Sequence, residues 1–147
     1  MTLEPGTAEP ATQRGRRVVD VLARAGRKLG FEVAHEYPVP GGRIDLVWLL
    51  PATTAIPGVD APLPAVGFEI ESSWRTRKHI KGDYLNLHDL AASLGVIVLL
   101  GDGDEVEATR RFAQTMADRP GPRVVVWSEL DVERLASTRR AGQGRRP

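Results

Sequence analysis

Apolar residues recur along this chain in two rhythms, every three or four positions in some stretches and continuously or alternately in shorter ones. The first rhythm reads as helix and the second as strand. Val18, Leu22, Ala25 and Leu29 fall at spacings of four, three and four, which predicts a helix over Arg14–Leu29, stopped by Gly30. Phe31–Val39 reads as a strand closed by the turn signal Pro40-Gly41-Gly42. Arg43–Leu50 reads as a second strand, apolar on both faces except at Arg43 and Asp45. Two strands this close in sequence are expected to form an antiparallel hairpin. Pro51–Pro64 holds four prolines and little periodicity, and reads as a surface loop.

Val66–Glu71 predicts a third strand, with Val66, Phe68 and Ile70 on one face and Gly67, Glu69 and Glu71 on the other. A helix is expected over Arg75–Leu94, with Ile80, Tyr84, Leu87, Ala91 and Leu94 as its buried stripe and Gly95 as its end. Val96–Leu100 is wholly apolar, as a buried strand should be. A helix between two strands makes them parallel neighbours joined by a right-handed crossover. Glu105–Ala117 predicts a helix, Arg123–Trp127 a fifth strand, and Ser128 caps a last helix over Glu129–Ala136. The expected class is α/β, with a mixed central sheet flanked by helices. Residues 1–12 read as a flexible arm, 13–136 as one domain and 137–147 as a basic tail.

The length, 147 residues, suits a single domain with its own core. No Cys is present, which excludes disulfides, thiol catalysis and Cys-based zinc sites. His35, His79 and His88 are not spaced as zinc ligands. No apolar run is long enough to span a bilayer and the first residues do not resemble a signal peptide, so a cytoplasmic protein without a membrane partner is expected. The net charge of +1 conceals basic runs at Arg14–Gly30, at Arg75–Lys81 and in the tail, whose four arginines leave −3 on the rest of the chain. Such runs point to a polyanion partner. With only eight aromatic residues, recognition by base stacking is not expected.

Asp45 interrupts an otherwise apolar strand, and Glu69 and Glu71 do the same on the next. A carboxylate in a central strand loses hydration and needs a partner. If the two strands are neighbours, Asp45 can meet Glu69 across the ladder, and several carboxylates in one dry place need a counter-charge. A hard divalent cation, Mg²⁺ or Mn²⁺, suits an all-oxygen donor set. Pairing with arginine on a solvated edge strand is the structural alternative. Seventeen Arg stand against three Lys, and two of those three, Lys78 and Lys81, follow the acidic strand on the next helix. A compact ammonium there could steady phosphoryl charge or orient water. On the same helix Asp83 and Asn86 lie four and seven residues after His79, on one face. Trp74, just beyond the acidic strand, reads as a packing residue.

The segments Gly42-Arg43-Ile44-Asp45-Leu46-Val47 and Phe68-Glu69-Ile70-Glu71, followed by a lysine-bearing helix and an apolar strand, resemble the PD-(D/E)XK nuclease superfamily. The resemblance implies a restriction-endonuclease-like αβββαβ core over residues 14–100 and Mg²⁺-dependent hydrolysis of phosphodiester bonds in nucleic acid, with DNA expected. It implies Asp45, Glu69 and the backbone carbonyl of Ile70 as metal ligands, with Glu36 as an outer ligand; Asp20 is a weaker candidate. Glu71 stands where the family usually carries lysine. Some members keep activity with Glu there, some move the lysine to the following helix, where Lys78 and Lys81 lie, and some have lost activity and only bind. Arg75, Arg77, Lys78, His79 and Lys81 are the expected nucleic-acid contacts. A chain this small leaves specificity to a second copy of itself or to a targeting partner.

Overall fold

The computed structural model describes residues 11–51, 56–72 and 77–138. Its elements run α1 (Ala11–Lys28), β1 (Glu32–Val39), β2 (Gly42–Leu50), β3 (Leu63–Glu71), α2 (Arg77–Leu90), β4 (Leu94–Leu99), α3 (Asp104–Ala117), β5 (Val124–Trp127) and α4 (Glu129–Ser137). The five strands form one mixed α/β sheet in the order β1-β2-β3-β4-β5. β1, β2 and β3 are mutually antiparallel, and β3, β4 and β5 are parallel. The αβββαβ order expected from periodicity is therefore present at the start of the chain. Two residues of the expected arm, Ala11 and Thr12, belong to α1. Most of the arm and tail lies outside the described residues.

Helices cover both faces of the sheet. Ile80, Tyr84 and Leu87 of α2 and Val106, Ala113 and Met116 of α3 pack with Ile44, Val47 and Ile97 on one face. Val18 and Leu22 of α1 and Val132 of α4 pack with Leu46, Trp48, Phe68 and Val98 on the other. α4 is held at its start by a reciprocal capping box between Ser128 and Asp131. Glu129 ties α4 to α1 and to the loop after β4, accepting from Arg14 at 2.6 Å and from the backbone N–H of Gly101 at 3.2 Å.

Two boundaries differ from expectation for identifiable reasons. α2 stops at Leu90, because Ala91 takes a left-handed φ of 53°. Leu94 and Gly95 then belong to β4, in register with Val66 and Gly67. Gly95 is a close-approach residue: a Cβ there would lie 3.2 Å from the Leu87 side chain. β3 begins three residues early, at Leu63, and admits Pro64 where the β2–β3 register shifts between Trp48 and Leu49. Proline is tolerated in a sheet at such irregularities.

Strict alternation also fails at one place. Ile44 and Leu46 are two residues apart yet pack on opposite faces. On β1, Ala34 and Tyr37 both pack on the α2 side, although they stand an odd three positions apart. Glu36, opposite Asp45 in this register, has a left-handed φ of 50°. Both strands of the hairpin thus change sides at the same level, between His35 and Glu36 on β1 and between Asp45 and Leu46 on β2.

Gly26 marks the other fixed point of α1. Any Cβ there would collide with the Trp48 indole, whose Nε1–H donates to the Leu22 carbonyl at 3.0 Å. Trp48 in turn stacks on Phe31 and tilts against Phe68. Gly26→Ala should destabilise the protein by about 1–3 kcal/mol, as overpacking of a filled core does. A urea titration of the variant beside wild type measures it, with the midpoint falling and the slope unchanged.

Candidate metal and acid site

The site begins where the β2–β3 ladder ends. Leu46↔Phe68 is the last pair of that ladder, so beyond it the backbone donors need other acceptors. Two side chains supply them. The Glu69 carboxylate accepts from the Asp45 backbone N–H at 3.0 Å, and the Asp45 carboxylate accepts from the Ile70 backbone N–H at 2.7 Å. Each acid thus holds the strand of the other. Asp45 and Glu69 do come together, but not as a side-chain pair on one face. The change of sides at Asp45 turns its carboxylate toward α1, while Glu69 faces α2.

On the α2 side, Glu69 and Glu71 are both buried, and Asp83 and Asn86 of α2 pack against them. Asn86 also lies against the β1–β2 turn, 3.4 Å from where a Cβ of Gly42 would be. Burial and the neighbouring Asp45 push the Glu69 carboxyl up to about 7, although hydrogen bonds from Asn86 and the Asp45 amide pull the other way. Burial, then the proximity of Glu69 and Glu71, pushes Asp83 up further. Two carboxyls in contact bond only by sharing a proton, so the Glu69–Asp83 pair holds a proton near neutrality. Asp83 Oδ2 is buried and has no hydrogen-bond partner. His79 Nδ1 lies 3.8 Å from Glu71 Oε1, an ion-pair distance and not a hydrogen bond.

On the α1 side, a cleft of about 530 Å³ opens between the first turns of α1 and the hairpin, lined among others by Gly15, Arg16, Asp20, His35, Glu36 and Asp45. Burial raises the Asp45 pKa, the Ile70 amide opposes this, and the charges of Glu36 and Glu71 raise it further. Glu36, expected as an outer ligand, and Asp20, the weaker candidate, both face this cleft.

The structure does not bring the lysines to the acids. Lys78 and Lys81 are exposed, and neither contributes to the electrostatics of Asp45, Glu69 or Asp83. At about 100° per residue they lie roughly 140–160° around α2 from Asp83, on the far side of the helix. The stripe that buries Ile80, Tyr84 and Leu87 forces this, because it turns Asp83 and Asn86 inward instead. Arg77, an expected nucleic-acid contact, sits over the Phe112 ring at 4.8 Å and belongs to the α2–α3 packing. Arg75 and Trp74 lie outside the described residues. Asp83 is the member of this acid cluster the sequence signalled least; its spacing with Asn86 after His79 was the only hint.

Among the described residues, no three His, Asp or Glu side chains stand together as a ready-made metal site. The oxygens are of the kind a hard cation takes, but they are split, with Asp45 on the α1 side and Glu69 and Asp83 on the α2 side. Carboxylates from adjacent strands raise one another's proton affinity, and one buried oxygen, Asp83 Oδ2, lacks a partner. No family model, curated protein or solved structure matches the chain.

The raised pKa values fix a sign for pH dependence. Without metal, the folded protein keeps a proton on Glu69 between about 4.5, the ordinary value, and about 7, whereas the unfolded chain has released it. Stability is therefore greatest at the acid end of that window and falls as pH rises through it, by about 1.4 kcal/mol per pH unit for each group behaving this way. Thermal melts in EDTA across this range should show the melting temperature dropping toward neutral pH. Glu69→Gln, which keeps an acceptor for the Asp45 amide, should flatten the profile.

Proposed function

We propose that this chain is a divalent-metal-dependent nuclease with a restriction-endonuclease-like core, hydrolysing phosphodiester bonds in DNA. The observation that carries the proposal is the mutual hold of Asp45 and Glu69 where β2 and β3 part, with Glu71 and Asp83 behind it. Adjacent strands bring acids to one opening in the sheet, beside a cleft of about 530 Å³. The αβββαβ order supports the same reading.

For Asp45, Glu69 and the Ile70 carbonyl to hold Mg²⁺ or Mn²⁺ together, the Glu69 carboxylate would have to turn from α2 toward the opening; the ion, when bound, would supply charge to polarise a phosphate and lower the pKa of a coordinated water. Asp45 is already oriented by the Ile70 amide, so its second oxygen is free to face the ion. Glu69 is held by the Asp45 amide and also by Asp83 and Asn86. Glu71 takes the position where a lysine would stand and accepts a proton from the attacking water. Asp83 and Asn86 are positioning residues that fix the Glu69 carboxyl.

One observation favours a second reading, a nuclease-fold module that binds nucleic acid or a protein partner without cutting: neither α2 lysine faces the acids. The experiment separates the two. With Mn²⁺ or Mg²⁺ at a hundred times its Kd, wild type should gain about 2.7 kcal/mol of stability, seen as a higher melting temperature, and Asp45→Ala should gain none. Wild type should nick supercoiled plasmid in Mn²⁺; Asp45→Ala and Glu69→Ala should not, and Glu71→Gln should be slowed at least about tenfold, as loss of a general base implies. No cation shift and no nicking would reject the nuclease. Intact, salt-sensitive DNA binding in the same protein would then leave the binding module standing.

A further inference from the structure

α1 carries more exposed positive charge than its place in the core requires. Arg16, Arg24, Arg27 and Lys28 are all exposed, and none has a carboxylate partner among the described residues. Arg27 and Lys28 also answer the negative end of the helix dipole. Arg16 and Arg24 have no such explanation. At about 100° per residue, Arg16, Asp20, Arg24 and Arg27 fall within one sector of roughly 80°. Arg16 and Asp20 line the cleft that Asp45 and Glu36 also line, so the charged sector starts at the cleft and continues along the helix. Further along, Arg24 and Lys28 flank a second hollow of about 180 Å³ against Ala136 of α4.

We infer that this face of α1 is the track on which the nucleic-acid backbone lies, with Arg16 at the cleft mouth and Arg24, Arg27 and Lys28 leading away from it. The choice of polymer rests on the nuclease reading. From Arg16 to Lys28 the helix rises about 18 Å, the axial length of roughly five phosphates on one strand of a duplex. A membrane surface would need an exposed apolar stripe beside the cations. The apolar side of α1 is instead turned to the sheet, with Val18 and Leu22 buried and Val19 and Val21 partly so. α2 is the poorer candidate: it carries three Arg and Lys against two acids, Asp83 and Asp89, where α1 carries six against Asp20 alone. The track replaces α2 as the nucleic-acid surface.

The test is anisotropy of a labelled DNA duplex of about twenty base pairs, in EDTA, with KCl varied from about 50 to 200 mM. Wild type should bind with a steep salt dependence. Arg16→Ala/Arg24→Ala should lose about 1.8 units of the log–log salt slope and at least tenfold in affinity, with an unchanged melting temperature. Lys78→Ala/Lys81→Ala should keep the wild-type slope. The inference fails if the α1 variant keeps the wild-type slope, if the α2 variant takes the loss, or if wild type binds phosphatidylserine vesicles and not the duplex. No metal is present, so the result is independent of cutting. A chain that binds through α1 and never nicks sinks only the hydrolysis, whereas nicking with unaltered binding by the α1 variant sinks only the track.

Discussion

Everything at the centre of this protein follows from backbone donors left without a ladder. A strand pair that separates inside a core must satisfy its amides or lose about 1–3 kcal/mol for each one buried unpaired. Here the acceptors are the side chains of Asp45 and Glu69, each serving the opposite strand. The arrangement holds the opening in shape without closing it. It also concentrates negative charge in a place with little water, which is why Glu69 and Asp83 keep their protons so tightly. Structural need and chemical potential are the same pair of hydrogen bonds.

That opening is served from both sides of the sheet. α2 presses Asp83 and Asn86 against Glu69, while α1 forms the wall of the cleft onto which Asp45 looks. The two helices are fixed differently. α2 is set by its apolar stripe and by Arg77 over Phe112; α1 is fixed by the Gly26–Trp48 approach at one end and by Arg14 with Glu129 at the other. Both ends of α1 are tied to the core or to α4, so its charged face keeps its direction relative to the acids.

The order of elements, the antiparallel hairpin and the parallel β3–β4 pair were legible in the sequence because each rests on a periodicity that buried contacts enforce. Asp45, Glu69 and Glu71 were legible because charge inside an apolar run is costly and therefore conspicuous. Asp83 was hidden, since an acid on an amphipathic helix looks the same whether it meets water or a neighbouring carboxyl. Only the rotation of α2, set by Ile80, Tyr84 and Leu87 together, turns it inward and carries Lys78 and Lys81 away. Gly95 read as a helix stop, yet its role is to admit Leu87 against β4, a contact distant enough that no local signal announces it.

The change of sides at Glu36 and Asp45 has an evolutionary consequence. Upstream and downstream of it, β2 obeys opposite parity rules: Ile44 and Leu46 are both aliphatic, both fully enclosed, and belong to different halves of the interior. Gaining or losing one residue in the hairpin would exchange the acid with an isoleucine and expose both halves at once. Drift in length is thereby barred from this short segment, while the Pro-rich connection between β2 and β3 carries no such restriction.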